Sequence, residues 1–156
     1  MNRFFDIAGD VSLQLSPWEL QRRNKPVTPA LFVLKESLRF RSDIAGGVIV
    51  VPAGPPEFVS DLASIPQFAW SIFMASDDPR IELGGWVHDL LYQNHGALTL
   101  EDGTAVKLTR KQADNILAFE AMPDLTATSL QCNTVYQALR RFGHAWPGDS
   151  FWERFS

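Results

Sequence analysis

The sequence predicts an α+β fold, in which a small antiparallel β-sheet from the N-terminal half packs on three to four helices from the C-terminal half. Stretches rich in β-branched residues and ended by glycine or proline lie in the N-terminal half, and they are typical of strands. Helix-start signals followed by apolar residues at helical spacing lie in the C-terminal half. The pair Asp102-Gly103 between two short apolar stretches indicates a β-hairpin inserted among the helices, near residues 98–108.

The strand signals lie between residues 31 and 52. Residues 31–41 partly alternate between apolar and polar side chains, as expected of a half-buried strand. Val48–Val51 follow the Gly46-Gly47 turn, are all β-branched and stop at Pro52. The N-terminal half is therefore expected to form antiparallel sheet.

Four helices are predicted from their capping signals. Ser64 is a good N-cap for the first, and Thr109 with Gln112 forms a capping box for the third. The pair Gly84-Gly85 in the second helix favours close packing against a neighbouring element. The predicted helices cover residues 64–74, 80–93, 110–122 and 126–142, and the last carries Leu130, Val135, Leu139 and Phe142 near one face.

The length and composition favour one domain with two flanking segments. With 156 residues, of which 46% are hydrophobic and 21% charged, the chain can bury a core without disulfides. We expect an irregular arm at residues 1–30, the α+β domain at 31–143 and an aromatic tail at 144–156. The tail contains Trp146, Phe151, Trp152 and Phe155, so it is expected to pack back on the domain or to anchor a partner.

The charge of the chain argues against general nucleic-acid binding. A net charge of -4 leaves no broad basic face with which to displace counterions. The basic clusters are short pairs that are expected on solvent-exposed faces, namely Arg22-Arg23, Arg110-Lys111 and Arg140-Arg141.

Neither a membrane span nor a signal peptide is expected. No stretch reaches the ~18 apolar residues of a spanning helix, and the N-terminus lacks an apolar region followed by a small-residue cleavage site. Cys132 is the single cysteine, so an intrachain disulfide is excluded and a reducing compartment fits. Its place in a helical stretch predicts a small buried side chain rather than a nucleophile.

The motif His88-Asp89-Leu90-Leu91-Tyr92 is the strongest signal for chemistry. On a helix His88 and Tyr92 share one face, and Asp89 lies about 100° round from them. The apolar neighbours are expected to keep this turn buried, and a buried imidazole beside a carboxylate indicates a functional or a structural role. Two alternatives follow: a metal or catalytic site, or a core histidine that is hydrogen-bonded to Asp or Tyr.

Further candidates flank this motif. Asp61 and Ser64 precede it, and Asp114 follows on the next predicted helix. Asp114 either joins His88 in one site or lies on the polar face of its helix beside Asn115. His95 stands just before a glycine and is expected in a loop.

The chain resembles a phage and prophage family known as domain of unknown function 1353, over roughly residues 32–146. The resemblance rests on Phe58-Val59-Ser60-Asp61-Leu62-Ala63-Ser64-Ile65-Pro66, on His88-Asp89-Leu90-Leu91-Tyr92, and on Arg110, Ala113-Asp114, Tyr136, Arg140, Gly143 and Trp146. It implies a phage or prophage origin and a small single-domain protein. For such a protein we expect synthesis in the host cytoplasm and, if it is a virion component, a place in the virion. The resemblance implies no activity.

A looser resemblance joins the HDxxY helix to secreted phospholipases A2. It implies that His88 is the general base, that Asp89 binds calcium, and that Tyr92 and Asp114 orient His88. This chain lacks that family's disulfides and its glycine-rich calcium loop, in whose place Asp61 can offer a carboxylate. A related alternative is a zinc, manganese or iron site that uses Asp61, His88, Asp89 and Asp114.

Two functions are therefore expected from the sequence. The first is a virion or assembly component, such as a tail protein, that binds other phage proteins through the aromatic tail or the N-terminal arm and forms a homo-oligomer. The second is a phage hydrolase that cleaves a cell-envelope ester or amide, with His88, Tyr92 and Asp114 as catalytic residues. In that reading Asp61 and Asp89 bind calcium or zinc. A protein that acts on the host or on its defences is a third class, which no motif favours.

Overall fold

A computed structural model of the chain describes residues 3–5, 34, 36–53, 58, 79–125 and 127–142. The predicted helix at 64–74, the aromatic tail at 144–156 and the arm apart from residues 3–5 lie outside the described residues. The described part is α+β, as predicted: an antiparallel sheet comes from the N-terminal half and three helices come from the C-terminal half. None of the described helices is both long and apolar enough to cross a membrane.

The main sheet has three antiparallel strands in the order β1-β2-β3. They are β1 (Phe4–Phe5), β2 (Leu38–Ser42) and β3 (Gly47–Val51). Of the strand predicted at 31–41, residues 38–41 lie in β2, the described residues 34, 36 and 37 precede it, and the others lie outside the described residues. Side chains alternate along β2, because Phe40 points into the core while Arg39 and Arg41 point away from it. Gly46 has a φ of 80°, which lets the chain turn back tightly between β2 and β3.

Helix α1 (Pro79–Gln93) carries the HDxxY motif and forms the centre of the core. Its described side chains from Leu83 to Tyr92 are all buried, so it is covered on every face rather than along one stripe. Gly84 makes this packing possible, since a Cβ atom there would lie 2.6 Å from Cδ1 of Leu117. The prediction of close packing at this glycine is confirmed.

The predicted hairpin is confirmed as β4 (Ala97–Thr99) and β5 (Ala105–Lys107). Gly103 at its tip has a φ of 89°, and the carboxylate of Asp102 accepts a hydrogen bond from the backbone N–H of Thr104. The hairpin docks on the main sheet, because the backbone N–H of Glu101 donates to the carbonyl of Val48. The carboxylate of Glu101 also accepts two hydrogen bonds from Arg39 of β2.

The next helix, which we call the central helix, is continuous from Arg110 to Asp124. It consists of α2 (Arg110–Asn115), a π-helical segment (Ile116–Ala121) and α3 (Met122–Asp124). The predicted capping box of Thr109 and Gln112 is present. The helix ends at Asp124, two residues after the predicted end at Met122.

The last helix, α4 (Ser129–Phe142), begins three residues later than the predicted Thr126. Thr128 and Gln131 form a second reciprocal cap, with the backbone N–H of each accepted by the side chain of the other. Val135 and Leu139 are buried as predicted. Leu130 is 68% exposed, so the prediction that it lies on the apolar face was wrong. Leu130 lies in the first turn of α4, before the helix packs along its neighbours.

Candidate functional site: a buried His-Asp-Arg cluster

His88 and Tyr92 of α1 bind the same carboxylate, that of Asp114 on the central helix. Nε2 of His88 lies 3.0 Å from Oδ1 of Asp114, and the hydroxyl of Tyr92 donates to the same oxygen at 2.5 Å. The four-residue spacing on α1 stacks the two rings with their centroids 4.2 Å apart. The structure thus brings together the three residues that the sequence named as catalytic candidates.

Asp114 is fully buried, so the alternative of a surface aspartate on the polar helix face is wrong. Its second oxygen, Oδ2, accepts a hydrogen bond at 3.0 Å from Nη1 of Arg140 on α4. Nε of Arg110 lies 4.0 Å from the same oxygen. Asp114 therefore joins α1, the central helix and α4 through one carboxylate.

Arg110 and Arg140 were predicted on solvent-exposed faces, and this was wrong because both are buried. Arg110 donates from Nε to the hydroxyl of Tyr92 at 3.2 Å, and from Nη2 to the carbonyls of Leu139 at 2.7 Å and Arg140 at 3.4 Å. A guanidinium can be buried when its fixed donors meet acceptors on several sides. One feature of the sequence indicates that Arg110 pairs with Asp114: the two residues are four positions apart and so share a helix face.

The ionisation of Asp114 and Tyr92 determines which groups of the cluster donate hydrogen bonds and which accept them. Burial raises the pKa of Asp114, but the hydrogen bonds from His88, Tyr92 and Arg140 outweigh burial and hold that pKa below its ordinary value. Burial, and then the negative charge of Asp114, raise the pKa of Tyr92, so its hydroxyl stays neutral and donates. Because the ionised carboxylate can only accept, Nε2 of His88 carries the hydrogen of the bond to Asp114.

Nδ1 is the ring nitrogen of His88 that Asp114 does not contact. It is buried and has no hydrogen-bond partner among the described residues, and the whole side chain is 0% exposed. A neutral imidazole whose Nε2–H is held by a carboxylate is the arrangement of a general base. The same arrangement also serves a purely structural histidine, and burial favours the latter.

Asp89 is buried and accepts a hydrogen bond at 2.9 Å from Nε2 of Gln93. Asp61 and Ser64 lie outside the described residues. Within the described ranges, no group of three or more His, Cys, Asp or Glu side chains is arranged to hold a metal. The calcium or zinc site at Asp61 and Asp89 therefore stays a prediction.

Two other predictions for single residues are confirmed. His95 lies in the turn between α1 and β4, with a φ of 50°, as expected for a loop histidine. Cys132 is a buried free thiol whose pKa is raised by burial, which fits a small core side chain rather than a nucleophile.

Glu120 is a further buried carboxylate, which was not predicted from the sequence. It accepts hydrogen bonds from the hydroxyl of Ser42 at 2.6 Å and from the backbone N–H groups of Asp43 at 2.9 Å and Ile44 at 3.1 Å. It lies in the π-helical segment and anchors the turn between β2 and β3 to the central helix. Nothing in the local sequence marks it, since its partners are about 77 residues away.

A surface depression of about 590 Å³ lies at the β2–β3 turn and the tip of the β4–β5 hairpin. It is lined by residues such as Arg41, Asp43, Gly46 and Glu101, and it shares none with the His88 cluster. The chemistry-bearing residues and this depression are therefore separate features.

The comparison with protein families gives one match, which is described as "Protein of unknown function (DUF1353)" and covers residues 32–139. The match includes the whole cluster except Arg140. No curated protein and no solved structure matches the chain, so the resemblance to phospholipases A2 has no support beyond the local arrangement of His88, Tyr92 and Asp114. Because the family match covers more than half of the sequence, the chain belongs to the DUF1353 family of proteins of unknown function.

Proposed function

We propose that this protein is a phage virion or assembly component, in which the His88 cluster fixes the packing of the helices rather than acting on a substrate. The phage assignment rests on the resemblance to phage and prophage proteins drawn from the sequence. In this proposal the aromatic tail at 144–156 and the N-terminal arm bind other virion proteins.

The observation that carries the structural role is the use of Asp114 by three helices at once. Its carboxylate accepts from His88, Tyr92 and Arg140 and has Arg110 at 4.0 Å. Buried networks of hydrogen bonds and charges can favour one packing arrangement over its alternatives. A side chain that is 0% exposed, such as His88, offers no surface to a substrate.

The decisive variant is His88→Gln. An amide nitrogen at the end of the Gln side chain replaces the Nε2–H donor toward Asp114, whereas the basic Nδ1 is lost. We expect a phage or prophage carrying His88→Gln to form particles as the wild type does, and one carrying Asp114→Asn to give fewer particles because the protein is destabilised. A deletion of residues 144–156 should abolish assembly while the isolated protein stays folded.

The measurement is the yield of infectious particles after complementation of a deleted gene, with mass spectrometry of purified particles to detect the chain. Thermal unfolding of each purified variant separates loss of folding from loss of assembly. If His88→Gln folds normally but gives no particles, the structural role of the cluster is contradicted. If the chain is absent from purified particles, the virion role is contradicted.

A hydrolase is the second candidate, and the Nδ1 atom of His88, which Asp114 does not contact, favours it. In this reading Nδ1 takes a proton from a water molecule that attacks an ester or amide carbonyl of the cell envelope. Asp114 orients the ring and stabilises the imidazolium, and Tyr92 holds Asp114. Calcium or zinc bound through Asp61 and Asp89 would polarise the carbonyl.

The hydrolase makes the opposite prediction for His88→Gln. Release of lipid or peptidoglycan fragments from envelope preparations should fall to background although the variant remains folded. Thermal unfolding with and without calcium or zinc, for the wild type and for Asp89→Asn, tests the metal. A metal-induced rise in Tm that is lost in Asp89→Asn supports the site, and no rise in the wild type contradicts it.

A further inference from the structure

Residues 3–5 occupy a specific site on the rest of the protein although they lie outside the family match. Phe4 pairs with Phe40 and Phe5 with Arg39 in the antiparallel register of β1 and β2. The backbone N–H of Arg41 also donates to the carbonyl of Arg3 at 2.8 Å. The edge of β2 therefore binds an extended segment by main-chain hydrogen bonds, as in strand addition.

Each side chain of this segment has its own subsite. Phe4 is 1% exposed and its ring centroid lies 4.7 Å from that of Phe40. On the opposite face, the ring of Phe5 lies under two guanidinium groups, with Cζ of Arg39 at 5.0 Å and Cζ of Arg41 at 5.1 Å.

Arg3 is recognised by three carboxylates. Its Nη2 donates to Oδ2 of Asp43 at 2.8 Å, its Nη1 lies 3.5 Å from Oε1 of Glu120, and its backbone N–H donates to Oδ2 of Asp124 at 2.8 Å. These carboxylates come from the β2–β3 turn and the central helix. The site therefore selects a basic residue followed by two aromatic residues.

The acidic part of the site does not depend on Arg3. Glu120 is held by Ser42 and by the backbone N–H groups of Asp43 and Ile44, so its carboxylate is positioned by the β2–β3 turn itself. A preformed acceptor site binds its segment without a large ordering cost. The site is thus complete within the matched region and receives its ligand from outside that region.

We propose that this acceptor site also binds residues 3–5 of a second copy of the chain, so that copies join by exchange of β1. Twenty-eight residues, 6–33, separate Phe5 from Leu34, and a chain of that length reaches up to about 90 Å when extended. Exchange replaces each contact by the same contact from another copy, so its free-energy cost is small. The concentration of the protein then determines the ratio of exchanged oligomer to monomer.

A disulfide trap in the full-length chain tests this proposal, in a Cys132→Ala background. A chain with Phe5→Cys is mixed with a chain carrying Arg39→Cys and oxidised with glutathione disulfide. Paired residues of neighbouring antiparallel strands lie within the Cα range of a disulfide. We expect a covalent heterodimer whose yield rises with protein concentration. The matched control pairs Phe5→Cys with Arg41→Cys, which is two residues out of register.

Two further variants distinguish a failure of exchange from a failure of the acceptor site. A single chain carrying both Phe5→Cys and Arg39→Cys should close an intramolecular disulfide in dilute solution. Adding Arg3→Glu to the Phe5→Cys chain should lower the heterodimer yield roughly tenfold, because a negative charge then faces three carboxylates. The proposal is overturned if the single chain closes but the mixture gives no more heterodimer than the control. Failure of the single chain to close overturns the acceptor site itself.

Discussion

At the scale of the residue, Asp114 has the most consequential position in the described structure. Its burial is tolerated because His88, Tyr92 and Arg140 donate to it and Arg110 lies close by. Removing the charge would leave two buried guanidinium groups facing a neutral amide. Breaking a buried ion pair from one side in this way is far more costly than losing a surface pair.

We therefore predict that Asp114→Asn lowers the free energy of unfolding by about 3 kcal/mol or more. Urea unfolding followed by circular dichroism measures this loss. Asp102→Asn is the matched control, because Asp102 is exposed and an Asn can still accept from Thr104, so its effect should stay within about 0.5 kcal/mol. Equal effects of the two substitutions would contradict the role assigned to Asp114.

The pKa of Asp114 predicts a pH dependence. Its folded-state pKa lies below the ordinary value near 3.8. A carboxyl group of this kind stabilises the fold above its unfolded pKa, and this contribution is lost as the pH falls through the folded pKa. Thus the difference in unfolding free energy between wild type and Asp114→Asn should be full at neutral pH and should shrink below about pH 4. A constant difference down to about pH 2.5 would contradict this.

At the scale of the element, the central helix connects the two halves of the fold. Its α2 segment carries Asp114 toward the other helices, and its π-helical segment carries Glu120 toward the β2–β3 turn. In the π-helical segment the backbone N–H of Met122 reaches the carbonyl of Leu117, five residues back. Such wide turns are frequent at functional sites, and here the segment follows Asp114 and contains Glu120.

The contact between α1 and the central helix depends on Gly84. We predict that Gly84→Ala destabilises the fold by about 1–3 kcal/mol, because the new Cβ overlaps Leu117 by more than the gain in helix propensity can offset. The measurement is a double-mutant cycle with Leu117→Ala, followed by urea unfolding. In the Leu117→Ala background the added Cβ has room, so Gly84→Ala should cost little or stabilise. An unchanged cost there would show that the steric explanation is wrong.

At the scale of the whole molecule, the first described residues hold distant parts of the chain together. Arg3 contacts Asp43 in the β2–β3 turn and Asp124 at the end of the central helix. Phe4 completes the core beside Phe40. The matched family region therefore does not contain every residue of the core.

We predict that Phe4→Ala lowers the free energy of unfolding by about 3–5 kcal/mol, because it removes a fully buried ring. Phe5→Ala is the control, since Phe5 is partly buried with its ring against the guanidinium groups of Arg39 and Arg41, and its loss should cost about 1 kcal/mol or less. Both values are measured by urea unfolding. Similar values for the two variants would mean that β1 does not seat Phe4 in the core.

The sequence by itself determined the features that depend on local patterns. The HDxxY helix, the hairpin at Asp102-Gly103, the capping box at Thr109 and the α+β class all follow from side-chain periodicity and capping within a few residues. The grouping of His88 with Tyr92 follows from helix geometry alone. The second cap, at Thr128, has the same pattern and could have been found from the sequence.

Only the tertiary structure decided which polar residues are buried. Arg110, Arg140 and Glu120 look like surface residues in the sequence, because a charged side chain is normally solvated. Their burial depends on partners 18 to 78 residues away, which no local pattern specifies. For the same reason, the sequence left two alternatives for Asp114, a surface position or a place in the His88 site. Burial of a charge is a property of the assembled contacts, and those contacts exist only once the helices and the sheet have packed.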